Sequence, residues 1–303
     1  MLALSALALL FSFGGATAAP TALESRSVSP LSAADLATFA PYTQFARAAY
    51  CDTSKLTGWT CGEACNALPG FQPTLVGGDG NAVQIYFVGY WPTQDTVIVA
   101  HEGTDPTQLV SVLTDANILM DPLDTSLFPG VGSNVLVHDG FRNAHALTAT
   151  KILAEVKKLM SSKSTKSVTI VGHSLGGALA ELDALYLSLN LPSGTSIKLR
   201  TYGTPRVGNA AFASLLDSKV SDLKRVNNKK DIVPIVPGRF LGFAHGQGEV
   251  HILSPGNAVA CSGADNAVDA QCQIQTVPTI FDGNVLDHLG PYEGINIGTI
   301  FCT

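Results

Sequence analysis

The residue whose setting most suggests covalent chemistry is Ser174, which stands in Gly172-His173-Ser174-Leu175-Gly176 and so matches G-x-S-x-G. Val168, Ile170 and Val171 before it read as a buried strand, and Gly177-Ala178-Leu179-Ala180-Glu181-Leu182 after it as a helix with a nearly bare first turn. A serine at a strained strand-to-helix corner needs neighbours without Cβ atoms, so that strand and helix can approach closely. Its hydroxyl is then pushed out above the sheet as a nucleophile for acyl transfer. The pentapeptide alone is a weak signal, and the β-branched run and small-residue helix on either side are what turn it into an assignment.

A serine nucleophile needs a base and a carboxylate, and in hydrolases built on such a corner these follow it in the order Ser, Asp, His. His101, His138 and His145 come too early, and His173, adjacent to the serine, is expected to face elsewhere. Of the later histidines, His251 lies inside an apparent strand, Glu249 to Leu253, where a structural role is the ordinary outcome. His288 lies in Asp282-Gly283-Asn284-Val285-Leu286-Asp287-His288-Leu289-Gly290, a loop from which an imidazole can reach the serine, and is preferred to His245. Asp231, following the strand that ends at Val226, is the carboxylate; Asp217 and Asp222 read as solvated charges. In this assignment Ser174 attacks, His288 shuttles the proton, and Asp231 fixes the imidazole tautomer and stabilises its cation.

The developing oxyanion needs two backbone N–H donors. Leu175 supplies the first, and Thr104, after the permissive Gly103 at the end of an apolar run, supplies the second. The segment that follows carries Leu109, Val110, Val112 and Leu113, which read either as a core helix or as a lid over Ser174. Exposing four such side chains costs about 6 kcal/mol if all were buried, and a lipid surface would offset that cost.

The elements that must position these residues alternate. A helical stretch from Ser32 to Cys51, with a Ser32/Asp35 capping box and an interruption at Pro41, opens the domain. Val83 to Tyr90 and Thr96 to Ala100 read as hairpin strands joined at Pro92 to Asp95, which makes the sheet mixed. Val135 to Phe141 is expected as a strand and Ala144 to Met160 as the amphipathic helix returning to the strand before Ser174. Lys198 to Gly203 and Leu223 to Val226 add further strands, and the alternation predicts a three-layer α/β fold with a predominantly parallel, mixed sheet.

Met1 to Phe13 are almost wholly apolar and pass into Ala16-Thr17-Ala18, which predicts a signal peptide over residues 1–18, then a lead-in over 19–29 and one domain over 30–303. With 46% hydrophobic and 14% charged residues the chain can bury one large core. A net charge of −6 without a Lys/Arg cluster argues against nucleic acid as a partner. No later run is long enough to cross a bilayer, and any membrane contact is expected to be hydrophobic. The six cysteines favour disulfides over metal, since Cys61 and Cys65 lack a second ligand pair; of fifteen pairings, spacing ranks Cys61–Cys65, Cys261–Cys272 and Cys51–Cys302 first.

From about Phe45 to Cys302 the chain resembles the lid-covered fungal lipases of class 3. The likeness is carried by Val171-Gly172-His173-Ser174-Leu175-Gly176-Gly177-Ala178 and Thr201-Tyr202-Gly203-Thr204-Pro205-Arg206-Val207-Gly208-Asn209, with Val137-His138-Asp139-Gly140-Phe141 and Asp231-Ile232-Val233-Pro234. The resemblance implies an α/β-hydrolase fold, secretion, and hydrolysis of acylglycerols, triacylglycerol foremost, at a lipid-water interface without cofactor or metal. It also implies Ser174, Asp231 and His288 as the triad, Thr104 and Leu175 at the oxyanion hole, the segment after Thr104 as the lid, a non-catalytic His245, and the three disulfide pairings just ranked. One departure is His101-Glu102-Gly103 where many members have Phe-Arg-Gly, an acid in place of a cation near the lid hinge. Feruloyl esterases and phospholipases share the scaffold and are the alternative activities. A non-catalytic lipid-binding protein would lack a triad member or donor, and none is missing.

Overall fold

The computed structural model describes residues 28–104, 106–114 and 118–303. The expected signal peptide and most of the lead-in therefore lie outside the described residues, as do the side chains of Leu109 and Val112 in the expected lid. Ser29 already belongs to the fold, paired with Ala260 at one edge of the sheet.

Among the described residues that sheet has nine strands. Its centre is a parallel set, Thr96–His101, Ser167–His173, Ser196–Tyr202, Asp222–Asn228 and Glu249–Ser254, each hydrogen-bonded to the next. Antiparallel strands finish both edges: Tyr86–Trp91 and Gln72–Gly77 on one side, Asn257–Ala260 and Ser29–Pro30 on the other. Alternation along the strands builds two cores. Val97, Val99, Val168 and Ile170 face one way, under the helices Ala149–Lys163, Leu175–Asn190 and Ala210–Lys219; Ile98, Ala100 and Val171 face the other, under Ala40–Ala48 with its buried Phe45. These are the three layers the alternating pattern predicts.

The opening helical stretch forms as Ala33–Ala37, with the Ser32/Asp35 capping box made, and Ala40–Ala48, with Pro41 in its first turn. Gln72–Gly77 escapes the pattern because Pro73 breaks an otherwise ordinary strand signal. An edge position tolerates that proline, since one side of the strand donates no ladder hydrogen bonds.

One expectation is corrected. Only Leu136–His138 of the stretch 135–141 is strand, and it pairs outside the large sheet, in a four-stranded sheet with Met120–Pro122, Gly208–Asn209 and Phe243–Ala244. The βαβ unit instead joins Thr96–His101 to Ser167–His173 through the helix Ala149–Lys163. The expected single helix over 144–160 is two, Asp139–Ala146 and Ala149–Lys163. His138 explains the earlier start: its Nδ1 accepts the free N–H groups of Gly140 and Phe141, which caps a helix there.

The disulfides are Cys51–Cys302, Cys61–Cys65 and Cys261–Cys272. The first ties positions 251 residues apart, worth about 5 kcal/mol in the chain-entropy model.

Candidate active site

Strand Ser167–His173 gives way to helix Leu175–Asn190 with one residue between them, Ser174, at φ 60° and ψ −131°. A non-glycine residue in this region stores roughly 1–3 kcal/mol, so packing must hold it there. The Ser174 amide donates to the carbonyl of Tyr202 at 3.0 Å, anchoring the corner to the next strand. A Cβ at Gly176 would fall 2.6 Å from the carbonyl oxygen of Glu102 and one at Gly172 would collide with the carbonyl of Gly176, which is why both flanking positions are glycine.

The parallel strands on the far side deliver the acid and base. Asp231 follows Asp222–Asn228, and His288 sits in the short helical turn Val285–Leu289. His288 Nδ1 donates to Asp231 Oδ2 at 2.8 Å, and Asp231 Oδ1 accepts the Val233 amide at 2.9 Å. Both side chains and Ser174 are fully buried. Gly203, at φ +51°, lets the backbone pass beside this pair: a Cβ there would lie 2.6 Å from Asp231 Oδ2 and 2.7 Å from His288 Nδ1. The Ser174 Oγ and His288 Nε2 atoms are each buried with no hydrogen-bond partner among the described residues. His245 instead donates Nε2–H to the Pro234 carbonyl, and His251 has both ring nitrogens on backbone carbonyls.

His173 turns its ring to Tyr50 and to the backbone of His288, and not to the Ser174 hydroxyl. Its ring centroid lies 4.3 Å from that of His288, and its Nε2–H donates to the His288 carbonyl at 2.8 Å. Strand alternation fits this: His173 falls on the face of Val171, two residues before it, where Tyr50 and Tyr292 pack.

Opposite the serine, strand Thr96–His101 ends in the expected donor loop. A Cβ at Gly103 would lie 2.7 Å from Ser174 Cβ, which places this loop directly against the nucleophile. Thr104 follows, half-buried, and Leu175 opens the nucleophile helix, where a first-turn N–H has no intrahelical acceptor. Glu102, the departure at the hinge, is buried and accepts the Ile85 amide at 2.9 Å; burial raises its pKa.

The segment expected as a lid is a helix, Pro106–Leu113, packed against the turn that carries His288. Leu113 is buried in the main core, and Val110 packs half-buried against it. Leu113 also walls an apolar groove of about 570 Å³ with Ile235, Val236, Ile274, Val277 and Ile280, within the size range of small-molecule sites. Phe240, which lines it, is 90% exposed; Phe281, next in the chain to the groove's Ile280, is 92% exposed and Leu286 67%.

A second buried Asp–His assembly lies behind the donor loop. Asp183, on the nucleophile helix, accepts from His101 Nε2 at 2.6 Å and from His145 Nε2 at 2.9 Å, with all three side chains buried. Burial pushes the Asp183 pKa up, but the two imidazole hydrogen bonds outweigh it and hold the group at about 2. The sequence offered a signal for this cluster, a carboxylate inside the apolar run Leu182 to Leu187.

A family model described as lipase (class 3) matches residues 98–241. A secreted mono- and diacylglycerol lipase of Malassezia globosa, LIP1, is 35% identical over 228 residues, covering 74% of this chain and 72% of that protein. Among solved structures, the Rhizomucor miehei lipase propeptide complex superposes with a TM-score of 0.78 at 27% identity, covering 91% of this chain and 85% of that one. A triacylglycerol lipase whose catalytic centre is a serine protease triad superposes with a TM-score of 0.77 at 27% identity, covering 91% of this chain and all of the other.

Proposed function

The chain belongs to the class 3 lipase family, and from that premise we propose that it is a secreted serine hydrolase of acylglycerol esters working through Ser174, His288 and Asp231. The observation that carries this reading is the pair of buried, unpartnered atoms, Ser174 Oγ and His288 Nε2, with Asp231 already holding the other imidazole nitrogen. The hydroxyl attacks the acyl carbonyl while Nε2 takes its proton. The backbone N–H groups of Thr104 and Leu175 receive the negative oxygen, and Asp231 stabilises the imidazolium. Collapse returns the proton to the departing glycerol oxygen, and water repeats the sequence on the acyl-enzyme.

Complete burial of Ser174 and His288 means that substrate enters only after something moves. Helix Pro106–Leu113 is the mobile cover in this reading, because it rests on the turn of His288 and forms one wall of the apolar groove, which would take an acyl chain. Exposed Phe240, Phe281 and Leu286 supply an apolar rim suited to a lipid surface.

Secretion is part of the proposal, with residues 1–18 as signal peptide and a single domain from about residue 30. The Malassezia relative is named as secreted, all six cysteines are paired, and among the described residues no helix is long and apolar enough to cross a membrane. The named activities of the relatives span mono-, di- and triacylglycerols.

The test has two arms on the purified protein. A fluorophosphonate should label Ser174 and abolish activity, and the rate on tributyrin should turn upward as droplets form. Absence of labelling overturns the nucleophile, and a rate indifferent to droplets overturns the lipid-gated cover. A panel of mono-, di- and triacylglycerols with methyl ferulate then fixes the substrate.

A further inference from the structure

The base of the proposed triad is held from behind by two buried side chains. His288's carbonyl oxygen accepts His173 Nε2–H at 2.8 Å and the Tyr292 hydroxyl at 3.0 Å. Because a carbonyl can only accept, His173 must carry its proton on Nε2, which leaves Nδ1 as an acceptor. The Tyr50 hydroxyl lies 2.6 Å from that Nδ1 and is its donor. Tyr50 in turn touches the donor loop: a Cβ at Gly103 would collide with the Tyr50 hydroxyl, and the Gly103 backbone amide interacts with it. The donors therefore run in one direction, from Tyr50 through His173 to the backbone of His288, and the Tyr50 hydroxyl at the head of the relay packs against Gly103.

We propose that Tyr50 and His173 are positioning residues that lock the oxyanion loop and the catalytic base into one register. This rests on the serine-hydrolase reading above. Ser174 itself sits between the two ends of the chain: its Cβ lies beside Gly103, and its preceding residue is His173. A shift of the loop relative to the imidazole would misalign the reacting geometry on both sides of the carbonyl at once, and losses from such misplacement fall on kcat.

The relay is built to stay neutral. Burial holds the His173 pKa well below its ordinary value, reinforced by the nearby His288. Burial likewise pushes the Tyr50 hydroxyl well above its ordinary value, with Glu102 adding to the effect. The titratable groups around His173 are Tyr50, His288 and Tyr292. A neutral imidazole at 4.3 Å does not oppose the charge His288 takes up during catalysis.

Tyr50→Phe removes one oxygen from a ring that keeps its packing, and His173→Gln removes the ring while its amide keeps a donor and an acceptor at other positions. Each is compared with wild type and with Ser174→Ala for kcat and KM on a water-soluble short-chain ester, for the pH profile of kcat/KM, and for thermal stability. Tyr50→Phe should lower kcat roughly ten-fold with KM unchanged, as fits loss of one buried hydrogen bond expressed in the transition state, and should displace the acid limb of the profile. If His173→Gln does not fold, Tyr50→Phe decides alone. Wild-type kcat and an unmoved profile in Tyr50→Phe, with Ser174→Ala inactive, overturn the relay and leave the hydrolase reading standing. Retained activity in Ser174→Ala overturns the hydrolase reading itself.

Discussion

Two aspartate–histidine assemblies are buried at the same end of the sheet, and they differ in what they leave open. Asp183 has both oxygens occupied by imidazoles, His101 and His145. Asp231 has one imidazole, with its second oxygen on the Val233 amide, and that imidazole ends in an unpartnered Nε2. The ingredients and distances are nearly the same. A buried Asp–His contact is thus no mark of a catalytic pair by itself: what distinguishes Asp231–His288 is a ring nitrogen left without a donor, the feature on which the proposed role of His288 rests. The closed assembly instead ties strand Thr96–His101, through His101, to helix Leu175–Asn190, which follows Ser174.

The sharpest way to separate them is to neutralise each aspartate. Asp231→Asn should cost about 10⁴-fold in kcat, because the amide no longer fixes the imidazole tautomer or its cation, while the unfolding midpoint changes little by comparison. Ester hydrolysis and denaturant unfolding measured on the same preparation check it. Asp183→Asn should do the reverse. Breaking a buried ionic contact by removing one partner typically costs about 3–5 kcal/mol of stability, and kcat per folded molecule should stay within a few-fold. A dead but stable Asp183→Asn protein would break the comparison.

The acid limb of the stability profile sharpens it further. Asp183 is held at about 2 in the fold against 3.8 for the free group. Its folded pKa is depressed, so its contribution is fully present above about 3.8 and is lost as pH falls towards 2. Wild-type stability should drop across that window, and Asp183→Asn should lack this part of the drop. Unfolding free energies from pH 5 to pH 2 measure the difference.

How much of this was legible follows from how local each feature is. The elbow could be read because strand, corner and helix are consecutive, and the pairing of Asp231 with His288 because chain order left few candidates. Leu136–His138 was misplaced because its pairing, with Gly208 and Met120–Pro122, is set by distant residues and not by its own apolar pattern. The Tyr50–His173 contact is illegible for the same reason, since 123 residues separate its partners. Asp183 was different: a charge in an apolar helix run always needs a partner, and that signal went unread.

Glu181, two residues before Asp183, extends the comparison to a buried carboxyl with no imidazole at all. Its Oε1 has no hydrogen-bond partner among the described residues, and burial, moderated by Arg225 and worsened by Asp217, raises its pKa to about 8. The folded protein thus keeps a proton that the unfolded chain releases above its ordinary value of 4.5. Folded protein binds more protons than unfolded across this window, so stability falls as pH rises from about 4.5 to about 8, opposite in sign to Asp183. Glu181→Gln replaces the neutral acid by a neutral amide of the same size and removes that linkage. The variant should match wild type at pH 4 and be the more stable protein at pH 8, by an amount that grows steadily between. Thermal unfolding in a series of buffers reads the gap directly, and parallel curves would mean that the carboxyl is ionised in the fold and paired with Arg225.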